Sequence, residues 1–192
     1  MNTTRQRKNC WVVSEVVGKF HHNGKTMEIC RDNWASDPRG EHNLGIMICF
    51  HKRHALGDSH NLSIEEAKEL ENSADVIALP VYLYDHSGLS VQTTPFSCTW
   101  DSGRLGFIYA TKENVRNEFG WKNLTTERQN KIREYLRNEV DTYNSYLCGD
   151  MYAYTVTDAS GTITDAGGGF CGSDWDTNGL FECSGTKQWS EM

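Results

Sequence analysis

Between residues 126 and 147 the apolar positions Ile132, Tyr135, Leu136, Val140, Tyr143 and Leu147 fall at offsets 0, 3, 4, 8, 11 and 15. That is one stripe at the 3.6-residue period, and it predicts an amphipathic helix over 126–147. Thr126-x-x-Gln129 reads as its capping box and Cys148-Gly149 as its stop. A shorter helix is predicted from Ser63, where Ser63-x-x-Glu66 makes a capping box and Ile64, Ala67, Leu70 and Ala74 follow at helical spacing. The remaining apolar runs are those of strands. Residues 11–20 are β-branched and bounded by Gly and Asn. Residues 45–51 form a continuous apolar run ending in His51, which predicts a buried strand. Residues 76–84 form a strand interrupted by Pro80, for which an edge position or a bulge is expected. His86-Ser87-Gly88 then turns the chain back along 89–93. Residues 105–110 give a further strand, followed by a short helix capped by Thr111. Residues 151–156 and 162–164, around Ser160-Gly161, read as a terminal hairpin, and 32–43 as a loop. This order predicts an α+β fold, a mixed or mainly antiparallel sheet with two to three helices packed on one side.

Composition narrows the class. With 192 residues, 38% hydrophobic and 11% aromatic, the chain is long and apolar enough for a packed core, unlike a disordered polymer. The expected organisation is a flexible basic arm over 1–9, a single α+β domain over 10–172, and an acidic extension over 173–192 that contains Gly and Trp. No apolar run approaches the roughly 18 residues of a membrane helix, and no signal-peptide core follows the polar N-terminus. No membrane partner is expected. The seven cysteines (residues 10, 30, 49, 98, 148, 171 and 183) contain no CxxC and form no disulfide or zinc framework. Cys49 and Cys98 sit among apolar neighbours and read as small buried hydrophobes. Reduced thiols imply a cytoplasmic location.

The net charge of −7 is uneven. Residues 150–192 hold Asp150, Asp158, Asp165, Asp174, Asp176, Glu182 and Glu191 against Lys187 alone, whereas 1–149 are nearly neutral. Arg5, Arg7 and Lys8 make the start basic, either as a phosphate-touching arm or as a solvated terminus. No broad basic face is present, which disfavours duplex nucleic acid.

Four constellations carry candidate chemistry. His51-Lys52-Arg53-His54 through Asp58 to His60, at the end of a predicted strand, offers imidazole and carboxylate for a divalent metal or for acid–base work. Lys52 and Arg53 beside them suit a phosphate. The competing reading is a plain turn at Gly57-Asp58. Asp85-His86-Ser87-Gly88 pairs a carboxylate with an imidazole, or merely builds a turn. Trp100-Asp101-Ser102-Gly103-Arg104 could grip a base or sugar by stacking and hydrogen bonding, or place Trp100 in the core. Asp174, Asp176 and Asn178, with Gly179 and Glu182, match the first half of a calcium loop, but position 12 is Gly185; the alternative is an Asn178-Gly179 turn. No cofactor is expected beyond a possible divalent metal.

Three stretches also carry a resemblance: Asp37-Pro38-Arg39 through Asn43-Leu44-Gly45 to His51 and Leu56-Gly57-Asp58; Leu83-Tyr84-Asp85-His86-Ser87-Gly88; and Pro95-Phe96-Ser97-Cys98 running to Trp100-Asp101-Ser102-Gly103-Arg104-Leu105-Gly106-Phe107-Ile108-Tyr109. Over residues 32–172 the chain resembles a family of small proteins encoded in bacteriophages and bacterial mobile elements. The resemblance implies that genomic setting, a bacterial host cytoplasm, and no particular activity. The chain departs from the family where His54 stands for a more usual tyrosine, and in Gly167-Gly168-Gly169-Phe170, where a tryptophan is more usual. The residues therefore leave three readings. The first is an accessory, counter-defence protein that binds a nucleotide-like ligand or a host protein through Arg39, Arg53, His86, Trp100, Asp101 and Arg104. The second is a phosphodiesterase using His51, Asp58, Asp85 and His86. The third is an acidic DNA mimic resting on the tail. The strand at Pro80 or the tail offers a surface for a homo-oligomer.

Overall fold

The computed structural model describes residues 15–185 and 188–191. In chain order the strands and helices are β1 (Val16–His22), β2 (Lys25–Arg31), β3 (Ile46–Cys49), α1 (Ile64–Glu71), β4 (Val76–Asp85), β5 (Leu89–Gln92), β6 (Ser102–Thr111) and α2 (Lys112–Phe119). They continue with α3 (Thr126–Leu147), β7 (Met151–Thr157), β8 (Ile163–Cys171), α4 (Leu180–Cys183) and β9 (Ser190–Glu191). The chain is an α+β protein whose strands divide between two antiparallel sheets. Asp37–Cys148 form one compact unit, and the described residues before and after them form a second.

In the Asp37–Cys148 unit the sheet order is β3-β6-β4-β5. Alternation along the strands divides the side chains between two faces. Met47, Cys49, Ile108, Ala110, Ile77 and Val81 pack with Ile132, Leu136, Val140 and Tyr143, the stripe of α3. Ile48 and Phe107, on the opposite face, pack with Ala67 and Leu70 of α1. The capping box at Ser63 is formed, with Ser63 Oγ accepting from Glu66 N–H and the Glu66 carboxylate accepting from Ser63 N–H. The Ser63 N–H and the Ser63 hydroxyl both donate to that carboxylate at 2.8 Å, and together they hold the exposed Glu66 carboxyl below its ordinary pKa. The α3 cap differs from expectation by one residue. Thr125 is the N-cap and accepts from Arg128 N–H, while Gln129 donates to Leu124 O. Thr125 has the extended backbone a cap requires, so Thr126 already belongs to the first turn. Gly149 is left-handed at φ 68° and ends the helix as expected.

Pro80 sits where β4 has one neighbour. It lies opposite Phe107 of β6, whereas β4 pairs with β5 only from Tyr82 onward. The missing N–H therefore costs no ladder bond on the open side. The β4–β6 register slips immediately afterwards: Val81 faces Gly106 and Tyr82 faces Arg104, leaving Leu105 as the extra residue of a bulge.

The outer edge of β3 is sealed by the loop that follows it. Asp58 N–H donates to Met47 O (2.8 Å), Met47 N–H donates to Asp58 Oδ2 (2.7 Å), and His60 Nε2 lies 3.0 Å from Cys49 O. Gly57 lets the loop approach this closely: it is left-handed at φ 71°, and a Cβ there would meet Met47 O at 2.6 Å. Arg39 closes the arrangement. Its side chain is 4% exposed, and it reaches both Asp58 oxygens (3.0 and 2.6 Å), Gly45 O (2.7 Å) and Glu139 Oε2 of α3 (3.2 Å). Burial pushes the Arg39 pKa down, and the bonds and charges of Asp58 and Glu139 more than reverse this, raising it. Burial also pushes the Cys49 thiol up to about 12, which keeps it protonated and unreactive. Cys98 is only half-buried.

The second unit is a sheet ordered β8-β7-β2-β1-β9. Residues 11–14 of the first predicted strand lie outside the described residues, as does the arm over 1–9. The segment after residue 172 contributes Leu180, Phe181, Trp175 and Trp189 to a core with Phe20, Met27, Ile29, Tyr152 and Tyr154. The Asp150 and Asp165 carboxylates accept from the hydroxyls of the buried Tyr152 (2.9 Å) and Tyr154 (3.0 Å). Burial first, and the bond to Asp165 second, push the Tyr154 hydroxyl up to about 12. Among the described residues no helix is long and apolar enough to cross a membrane.

Two stability outcomes follow from this architecture. Thr125→Ala is expected to cost about 1 kcal/mol and Thr126→Ala to be neutral or slightly stabilising, compared by urea denaturation; equal losses would contradict the assigned cap. Arg39→Ala strands two partly buried carboxylates and is expected to cost about 3 kcal/mol by the same measurement.

Candidate functional site

At the end of the sheet where β3 and β4 finish and β6 begins, a pocket of about 350 Å³ opens. Its walls include His51, Arg53, Asp85, Trp100, Asp101 and Arg104, over the apolar Phe50, Leu83 and Leu105. Three separate sequence motifs therefore converge. His51 and Arg53 leave the end of β3, Asp85 closes β4, and residues 100–104 lead into β6. Asp85 N–H donates to Asp101 O (2.9 Å), which ties the second motif to the third. The volume is within the range of small-molecule sites.

The hydrogen bonds decide what each imidazole can do. His54 N–H donates to His51 Nδ1 at 3.2 Å, so a neutral His51 carries its proton on Nε2. That nitrogen faces Asp85 Oδ2 at 3.9 Å. His51 thus has no unengaged lone pair and serves as a donor rather than a base. The His54 ring stacks on it at 5.2 Å. Asp85 is bound at the same oxygen by Arg53. His86 is arranged the other way: Nδ1 lies 3.2 Å from Asp101 Oδ2, and the ring is 61% exposed. A proton on Nδ1 held by Asp101 leaves the Nε2 lone pair toward solvent. This dyad, attached to the pocket through Asp101, has the form of a general base.

Arg104 and Trp100 complete the site. The bulge at Leu105 resets the alternation of β6, so Arg104 lies on the α1 face, opposite Tyr82. It sits 5.7 Å over the Tyr82 ring, bonds Gly106 O at 2.9 Å and pairs with Glu71 at the end of α1. Gly106 permits the turn of the bulge, since a Cβ there would lie 1.9 Å from Ile48 O. Trp100 is 95% exposed, an aromatic face offered to solvent rather than to the core.

Several residues of the predicted set stand elsewhere, and His86 reaches the pocket only through Asp101. Arg39 and Asp58 are bound to each other in the seal of β3 and do not line the pocket. The charged spacing around His51 gave no sign of this division, because it depends on Glu139, which arrives from α3. In the other unit, Asn178 Oδ1 accepts from Leu180 N–H (3.0 Å) and its amide donates to Gly172 O (2.8 Å), so Asn178 ties the chain just after β8 to the start of α4, whose N-cap is Gly179. The backbone of Thr177 and Asn178 bonds Asp174 O, and Trp175 packs into the core between Asp174 and Asp176. Glu182 lies in α4. Among the described residues no group of three or more His, Cys, Asp or Glu side chains is gathered as a metal site requires. A larger recess of about 540 Å³ lies beside α2 and α3, but its Glu139 is committed to Leu44 N–H, Gly45 N–H and Arg39.

Sequence reasoning missed Phe50, Glu71 and Lys68. Phe50 and Glu71 flank Arg104, and Lys68 with Glu71 faces an adjoining recess. The capping box predicts that α1 exists, but no periodicity says which sheet face it covers. No family model, no curated protein and no solved structure matches the chain.

Because Trp100, His86 and Asp101 make few packing contacts, Trp100→Ala, His86→Ala and Asp101→Ala are each expected to stay within about 0.5 kcal/mol of wild type by urea denaturation. A loss of several kcal/mol at any of them would make that motif structural.

Proposed function

We propose that the protein acts by binding, holding a nucleotide-like ligand in the pocket at the end of the four-stranded sheet. The observation that carries this reading is the convergence of two guanidiniums, two carboxylates and an exposed indole on one concave surface. Arg53 and Arg104 suit a phosphate, Asp85 and Asp101 accept from sugar hydroxyls, and Trp100 supplies a stacking face for a base. The engagement of the His51 Nδ1 lone pair by His54 N–H favours recognition over proton transfer. In the bacteriophage setting implied by the resemblance, sequestering a host nucleotide signal is a counter-defence role in the host cytoplasm. Occupying a host protein is the other form of the same binding role.

The test is titration with adenosine, guanosine, cytidine and uridine monophosphates, followed by tryptophan fluorescence and calorimetry. At least one is expected to bind and to be recovered intact, with Trp100→Ala weakening it about tenfold. Binding of none of them would overturn the reading.

A second reading, a phosphodiesterase, is favoured by the His86–Asp101 dyad alone. It requires nucleotide turnover that His86→Ala abolishes. Turnover would replace the binding role with this one.

A further inference from the structure

Beside the pocket lies a second recess of about 340 Å³, walled by Ile64, Lys68 and Glu71 of α1 and by Phe107 of β6. Phe50, Arg104 and Leu105 line both recesses, so the two adjoin across the Arg104 side chain. They differ in character. The first is polar and ends at the exposed indole of Trp100. The second has an apolar floor of Phe50 and Phe107, and Ile64 remains 52% exposed on its wall although it occupies the first turn of a helix.

The charges limit what can lie across them. Arg53, Arg104 and Lys68 face Asp85, Asp101 and Glu71, a balanced set already paired in part through Arg53–Asp85 and Arg104–Glu71. A polyphosphate tail would add several negative charges beside three carboxylates. A phosphodiester adds one, and Arg104 stands between the two recesses to meet it. Each end then offers a surface for one planar group: Trp100 at the first, and the half-buried Phe50 with the exposed Ile64, backed by the buried Phe107, at the second.

We infer that the ligand is a dinucleotide, with one base on Trp100, the bridging phosphodiester at Arg104 and the second base in the recess beside α1. This rests on the nucleotide-binding reading above and names the class of nucleotide.

The test compares adenosine monophosphate, the dinucleoside monophosphate ApA and adenosine triphosphate by calorimetry at fixed salt. ApA is expected to bind about tenfold or more tightly than the monophosphate, the increment of one further stacked base, and the triphosphate no more tightly than the monophosphate. Ile64→Glu places a carboxylate on the wall of the second recess. It is compatible with the fold, because Ile64 is exposed and an acid suits the first turn of a helix. It is expected to abolish the ApA advantage and leave monophosphate binding unchanged, whereas Trp100→Ala weakens both ligands. ApA binding no tighter than the monophosphate, tighter binding of the triphosphate, or an ApA advantage that survives Ile64→Glu would each overturn the inference while leaving the binding role standing. Failure of both the monophosphate and ApA to bind would overturn the binding role itself.

Discussion

A guanidinium that is almost wholly removed from water must have its donors met, and Arg39 meets them with two carboxylates and a carbonyl. Each carboxylate has a second duty. Asp58 supplies the outer edge of β3 with the acceptor that a neighbouring strand would have provided, and Glu139 holds the N–H groups of Leu44 and Gly45 where the chain enters that strand. One buried cation therefore fixes an edge strand, the segment before it and the loop after it against α3. His51 and Arg53 sit in that loop, between the strand and its own seal. Their positions at the pocket depend on a network they do not belong to.

The same unit uses one extra residue to build its other polar wall. Had β6 kept strict alternation beyond Phe107, Leu105 would stand opposite Tyr82, and Arg104 would share a face with the α3 core. The bulge returns Leu105 to that core and delivers Arg104 to the α1 face, over Tyr82 and against Glu71. Pro80, just before the slip, occupies the stretch of β4 that lacks a second neighbour. Backbone irregularity and side-chain placement are thus coupled: the ladder is broken where the cation of Arg104 is turned toward the α1 face.

The two Asp–His pairs show how local bonding sets chemical role. His51 and Asp85 stand on the pocket wall, with the imidazole held at one nitrogen by backbone and facing carboxylate with the other. His86 and Asp101 stand at the rim, with one nitrogen held and the ring largely in solvent. Identical residue types give a fixed donor in one case and an open lone pair in the other. A site built mainly from fixed, mutually paired groups offers a ligand a preformed pattern of donors and acceptors at little reorganisation cost, the property on which the binding proposal depends.

Much of this was determined by the sequence. The stripe from Ile132 to Tyr143, the capping box at Ser63, the turn at His86-Ser87-Gly88 and the irregularity at Pro80 are local signals, and local hydrogen bonding and periodicity are sufficient to express them. The motifs that line the pocket were legible for the same reason, since Arg53, Asp85, Trp100, Asp101 and Arg104 sit at strand ends that the pattern marks. Only the tertiary structure decided which charged residues line the pocket and which are bound up in the fold. Arg39 and Asp58 look like site residues until Glu139 arrives from a helix roughly 100 residues away to complete their network. Likewise, Trp175, Leu180 and Phe181 look like part of an acidic extension until they meet Phe20 and Met27 from the opposite end of the chain. Sequence spacing carries the interactions that a residue makes with its near neighbours. Burial of a charge, and the partners that make it tolerable, are set by segments far apart in the chain.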